Sequence, residues 1–302
     1  MASDPSRLPK PRAKPSWRLL LHPEADHDYV HFQFADRHPF DAERRGLTRR
    51  TAWWLGDAAL LTYWAPDTAL PRFEAAGLHA RFLEQGATQC YVAHTLNFAI
   101  VAFRGTQPDH WHDLFDDARL NLVPWTSDEV RVHGGWKDAL ERVWSDLEAA
   151  LRELGDVPVW FSGHSLGAAL ATLAGDRFAS TAGVLTIASP RIGNAAFADA
   201  YDARLGTRTA RYVEHRDFAA RLPPELFGYR HVGDLRWFGA DGTIRPPAEA
   251  VAAIDEPHDA RLEALPMMSS LLDHMPRGYT VDIWNDYILH AQDAAPRVEE
   301  GV

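Results

Sequence analysis

The run Gly163-His164-Ser165-Leu166-Gly167 stands between a β-type segment, Val157 to Phe161, and an Ala- and Leu-rich segment, Leu166 to Phe178. A serine flanked by glycines at such a junction specifies a sharp strand-to-helix turn. The flanking positions must lack side chains so that strand and helix can approach, while the serine projects its Oγ outward. Ala168 and Ala169 keep that approach close. The neighbouring sequence supplies the frame such a turn needs. Gln89 to Ala93 and Phe98 to Phe103 read as strands, Trp136 to Leu154 as a helix, Gly183 to Ile187 as a strand, Ala195 to Leu205 as a helix and Thr209 to Val213 as a strand. Alternation of this kind is the pattern of an α/β chain, a mostly parallel sheet with helices on both faces.

On either side of this middle region the signals are weaker. Apolar residues recur at intervals near three and four from Leu47 to Tyr63, the spacing of an amphipathic helix that ends before Pro66, and a second helix is expected over Pro71 to Gln85. Beyond Pro223 the chain is irregular until a final helix around Tyr279 to His290. Residues 1–16 contain Pro5, Pro9, Pro11 and Pro15 among basic residues, which excludes a helix or a central strand, so they are read as a mobile arm outside the fold. The expected organisation is therefore one domain over 17–290 with a tail at 291–302.

Charge and cysteine content exclude several functions. Lys plus Arg number 31 and Asp plus Glu 42, a net charge of −11, so nucleic acid and anionic membrane surfaces are repelled on average. The single cysteine, Cys90, can close no intramolecular disulfide, offers no thiolate metal site and needs no oxidising compartment. Within Asp109-His110-Trp111-His112-Asp113 the two histidines are two apart and share no helix face, so no metal site is expected. The apolar run behind the N-terminal basic residues is only Leu19 to Leu21, short of the ~7 residues of a signal h-region. No apolar run reaches the ~18 residues of a membrane span. A cytoplasmic location, with a monomer as the default, is the expectation from these features.

A serine hydroxyl is a poor nucleophile unless a base lies within hydrogen-bond reach and a carboxylate orients that base. On a sheet of this kind the chain order is Ser, then acid, then His. Asp217 follows the strand ending at Val213 by four residues, where the acid belongs. His215, His231, His258, His274 and His290 all follow Ser165, and position alone does not choose between His258 and His274. His164 is read as a packed, hydrogen-bonded histidine, because the turn directs it away from its neighbour.

Five motifs stand in order. They are Phe103-Arg104-Gly105-Thr106, Val132-His133-Gly134-Gly135-Trp136, Gly163 to Leu170 (GHSLGAAL), Thr186 to Asn194 (TIASPRIGN), and Arg211 to Asp217 (RYVEHRD) followed by Leu222-Pro223-Pro224. Together they resemble the motif series of the fungal-type, or class 3, lipases, over about Leu47 to Leu289. The resemblance implies an α/β-hydrolase fold with a lid segment, Ser165 as nucleophile, Asp217 as acid and His274 as base. It implies an oxyanion hole formed by Leu166 and Thr106, and a lid between Thr106 and Trp125 that presents Trp111, Leu114, Phe115 and Trp125 to acyl chains. No cofactor is implied. The implied substrates are acylglycerols or other fatty-acyl esters, met at a lipid–water interface. A phospholipase A1 or a feruloyl-type esterase would use the same scaffold, and a non-catalytic lipid-binding relative would retain the fold without needing all three triad candidates. Two departures stand out: secreted fungal members are usually stapled by disulfides, which this chain lacks, and Ala188 occupies a position where the family often has glycine.

Overall fold

The computed structural model describes residues 4–12, 14, 16–105, 121–249 and 270–293. Their strands are β1 (His79–Gln85), β2 (Thr88–His94), β3 (Ala99–Phe103), β4 (Leu122–Pro124), β5 (Arg131–His133), β6 (Val159–His164), β7 (Thr181–Ile187), β8 (Gly193–Asn194), β9 (Thr209–Glu214), β10 (Tyr229–Arg230), β11 (Asp234–Phe238) and β12 (Ile244–Arg245). Eight of them form one sheet in the order β1-β2-β3-β6-β7-β9-β11-β12. From β3 to β11 every pairing is parallel, whereas β1, β2 and β12 join antiparallel at the two sides. The remaining four make a small antiparallel sheet, β10-β8-β5-β4. Every residue of β3, β6 and β7 is buried, as strands covered on both faces must be.

One face is covered by the helices Arg49–Leu61 and Pro276–Asp293. The first starts at a capping box between Thr48 and Thr51 and is buried continuously from Thr51 to Leu61. Such a helix has no solvent face to advertise amphipathicity, and its Trp53 ring meets that of Trp284 in the second helix with centroids 4.8 Å apart. The other face carries Gly134–Glu153, Leu166–Arg177 and Ala195–Leu205. In the first of these, Trp136, Leu140, Val143, Leu147 and Leu151 lie on one buried stripe at helical spacing.

Three sequence expectations need correction. The helix expected over Pro71 to Gln85 is Pro66–Ala75, and its second half is strand β1. Gly77, at φ +83°, ends the helix in the left-handed region, and Leu78 N–H closes back on Phe73 O at 3.0 Å. The stretch beyond Pro223 is not irregular throughout, because β11 extends the parallel sheet beside β9. Its signal was the alternation Asp234-Leu235-Arg236-Trp237, masked by flanking Gly and charge. Residues 4–12 are no mobile arm either. Trp284 Nε1–H donates to Leu8 O at 3.1 Å, Lys10 N–H to Asn285 Oδ1 at 2.7 Å and Asn285 Nδ2–H to Lys10 O at 3.0 Å. Proline removes ladder donors but leaves carbonyls that side chains of a helix can still bind.

Candidate active site

The carboxyl ends of the parallel strands gather the site, since Phe103 pairs with Gly163, His164 with Ile187 and Ile187 with Tyr212 in register. Ser165 follows the last residue of β6 and takes φ +57°, ψ −124°, a left-handed conformation that an L-residue holds only under restraint. The restraint is visible. Ser165 N–H donates to Ile187 O at 2.9 Å. A Cβ on Gly163 would lie 2.2 Å from the carbonyl of Gly167, and a Cβ on Gly167 would lie 2.3 Å from Phe103 O. Both glycines are therefore obligatory, as the motif required. Leu166 begins the helix Leu166–Arg177, so its N–H is one of the amides with no intrahelical acceptor.

Asp217 lies in a turn beyond β9, closed by its own N–H on Glu214 O at 2.8 Å. Its Oδ1 accepts Ala219 N–H at 2.8 Å, and its Oδ2 accepts the Tyr279 hydroxyl at 2.6 Å. His274 Nδ1 stands 2.9 Å from both oxygens. Ser165, Asp217 and His274 are all buried, at 3%, 2% and 0% exposure. Burial in a low-dielectric surrounding strengthens such contacts and fixes the ring. With Asp217 as acceptor, the network assigns the Nδ1–H tautomer to His274.

What brings this pair to Ser165 is the residue beside the serine. His164 Nε2–H donates to His274 O at 2.9 Å, the Tyr63 hydroxyl donates to His164 Nδ1 at 2.6 Å, and the two imidazoles lie 4.5 Å apart. Burial, and then the His274 ring, hold His164 well below the usual histidine range, so it is neutral and can play both parts. Gly105 seals the arrangement, because a Cβ there would lie 2.3 Å from Tyr63 Oη and 2.6 Å from His164 O. Tyr63 and Tyr279 were not found by sequence reasoning. Each looks like one more apolar member of a helical stripe, and nothing local marks its hydroxyl.

The other described histidines after Ser165 are engaged elsewhere: His215 with Asp273, His231 with Ala220 O and His290 with Asp286. Trp125 is a correction. Its Nε1–H donates to Asp176 Oδ2 at 2.7 Å and Arg177 lies over its ring. Asp176 and Arg177 close the far end of the helix Leu166–Arg177, so the indole expected to face an acyl chain is engaged by these two residues instead. Thr106, Trp111, Leu114, Phe115, the Asp109 to Asp113 cluster and His258 lie outside the described residues. Among the described residues no group of three or more His, Cys, Asp or Glu could hold a metal, and no helix is long and apolar enough to cross a membrane.

Residues 100–227 match the family model described as lipase (class 3). A lipase of Rhizomucor miehei is 31% identical over 174 residues, 52% of this chain and 47% of that protein. A secreted mono- and diacylglycerol lipase of Gibberella zeae is 31% identical over 135 residues, 41% of each chain. The chain thus spans a little under half the length of these curated relatives. In fold it is similar to the solved Rhizomucor miehei triacylglyceride lipase, with a TM-score of 0.56 and 19% identity over 74% of this chain and 90% of that one. The sheet described above accordingly has the α/β-hydrolase fold. The expected cytoplasmic location does not stand beside relatives named as secreted. The cysteine count carried no weight on this point: Cys90 is fully buried and burial pushes its thiol up to about 12, so it is inert in either redox compartment.

Proposed function

From the match of residues 100–227 to the class 3 lipase model, we propose that this chain is a serine carboxylic-ester hydrolase of that kind, acting on acylglycerols or other fatty-acyl esters. The observation that carries the reading is the buried Asp217–His274 contact, at 2.9 Å, joined through His164 to the strained turn of Ser165. In this reading Ser165 Oγ attacks the ester carbonyl carbon while His274 Nε2 takes the hydroxyl proton, and Asp217 holds the imidazole and stabilises the imidazolium. The carbonyl oxygen, now negative, accepts from Leu166 N–H and from Thr106, each such donor being worth about 3–4 kcal/mol in the transition state. His274 then protonates the leaving alcohol, which departs as the acyl bond to Ser165 Oγ remains. Water, deprotonated by the same Nε2, releases the fatty acid and restores the serine.

The substrate class is supported by relatives named as mono- and diacylglycerol lipases. In this reading the expected lid would move aside before an ester reaches the buried Ser165, and a lipid surface would stabilise the apolar groups so uncovered. The test is hydrolysis of a p-nitrophenyl ester series by the wild type and by Ser165→Ala. Loss of the nucleophile should lower kcat by about 10⁴-fold or more; equal rates in the two proteins would overturn the proposal.

A further inference from the structure

Arg12 lies in the proline-rich N-terminal segment, more than two hundred residues from every acid it touches. Its Nε and Nη2 bind the two oxygens of Asp282 at 2.9 and 2.7 Å, Nη2 also reaches Glu214 Oε1 at 2.7 Å, and Nη1 donates to Ala240 O at 2.6 Å. Glu214 ends β9, three residues before Asp217. Asp282 is three residues beyond Tyr279 on the C-terminal helix, the spacing of neighbours on one helix face. Tyr279 closes the circuit, since its Oη accepts Glu214 N–H at 2.7 Å and donates to Asp217 Oδ2 at 2.6 Å. The fit is tight: a Cβ on Gly278 would lie 2.8 Å from Glu214 Oε2, and one on Gly242 would lie 2.6 Å from Arg12 Nε.

We infer that Arg12 is a positioning residue, which clamps the strand end carrying Asp217 to the helix carrying Tyr279 and so sets the orientation of the acid–base pair. The inference rests on the ester-hydrolase reading above. One guanidinium here serves two buried carboxylates. Glu214 is faced by Arg12, Asp282, Asp273 and Asp217, and its carboxyl stands well above the usual range through burial and then the Asp282 charge. Asp282 is faced by Arg12 and Asp241 and is pushed up to about 6 by burial, against the pull of Arg12. His215, paired with Asp273, lines the cavity of about 160 Å³ that Arg12 and Glu214 share. Without the cation, Glu214 and Asp282 can stay adjacent only while one of them keeps its proton. Raising the pH ionises both, drives strand end and helix apart and stretches the Tyr279–Asp217 bond.

The experiment compares wild type, Arg12→Met, Arg12→Lys and Arg12→Met/Glu214→Gln in the full chain. It reads kcat and KM on a soluble p-nitrophenyl ester from about pH 5.5 to 9, with Tm measured at each pH. For Arg12→Met we expect kcat near wild type at the acid end and a roughly tenfold or greater fall at the alkaline end, from misplacement of the base, while KM stays within about twofold. Arg12→Lys should recover part of the alkaline limb, and Glu214→Gln, which removes the repulsion, should recover most of it. Both acids are raised in the wild type too, so its Tm should decline with rising pH, and that of Arg12→Met should decline more steeply. If Arg12→Met folds poorly at alkaline pH, Arg12→Lys carries the same comparison with a smaller shift. A profile parallel to wild type, or a uniform loss at every pH that Glu214→Gln does not relieve, would overturn the inference. Should Ser165→Ala prove as active as wild type, the hydrolase reading fails, and the pH dependence of Tm still decides whether Arg12 holds the two acids together.

Discussion

The turn that carries Ser165 is made by five consecutive residues, whereas Asp217 and His274 stand on two loops 57 residues apart and are held by Tyr63, His164, Tyr279 and Arg12 from other segments. The first is restrained by backbone contact: each glycine faces a carbonyl at a distance no Cβ can share. The second is restrained by hydrogen bonds between side chains that have other rotamers available. The two regions should therefore fail differently. Damage to the turn removes the fold around β6, while damage to the polar network leaves a folded protein whose base is misaimed.

The sharpest break in that contrast would come from Gly163→Ala. Its methyl would lie 2.2 Å from the Gly167 backbone, where no flexible side chain can yield. We expect a loss of about 4 kcal/mol or more in urea unfolding, or no soluble protein. A loss below about 1 kcal/mol would show that the turn adapts and that the two regions are restrained alike. Tyr279→Phe comes next. Removing the hydroxyl that Asp217 accepts at 2.6 Å should lower kcat roughly ten- to a hundredfold, or about 1.4–2.8 kcal/mol, with KM nearly unchanged and Tm moved by only a few degrees. A variant that loses stability and keeps kcat would move this hydroxyl from positioning to packing.

The smallest expected effect is a control on a buried histidine that makes no hydrogen bond to the site. His31 sits edge-on between Tyr29 and Trp64, and burial lowers it to about 3. Its folded value is depressed, so its neutral form contributes stability that is fully present above about 6.5 and is lost as pH falls toward about 3. His31→Phe should relieve about 2 kcal/mol of acid destabilisation at pH 5, measured by urea unfolding across pH. It should leave kcat unchanged. A change in kcat would mean that the site is coupled to this part of the core.

Much of the fold was legible because local rules set it. The helix Ala195–Leu205 has the expected bounds, since Asn194 caps it through the Phe197 N–H and Gly206 follows. The strands β3, β6, β7 and β9 announced themselves as short apolar runs between turn residues. The strand β1 was lost because seven mixed residues, half exposed, fit a helix as well as an edge strand. Trp125 was misplaced because an aromatic residue advertises burial without saying against what, and here its partners are Asp176 and Arg177.

Sequence alone determined the turn at Ser165, since glycine sterics and strand–helix alternation act between neighbours along the chain and need no knowledge of the rest. Position left His258 and His274 as alternatives, and only the family resemblance chose between them before the folded chain set His274 on Asp217. Tertiary structure alone decided that Tyr63, His164, Tyr279 and Arg12 meet around that pair. Hydrogen bonds between residues 57 to 270 positions apart depend on where the sheet and its helices bring the backbone. A hydroxyl or guanidinium carries no local sign of the partner it will find.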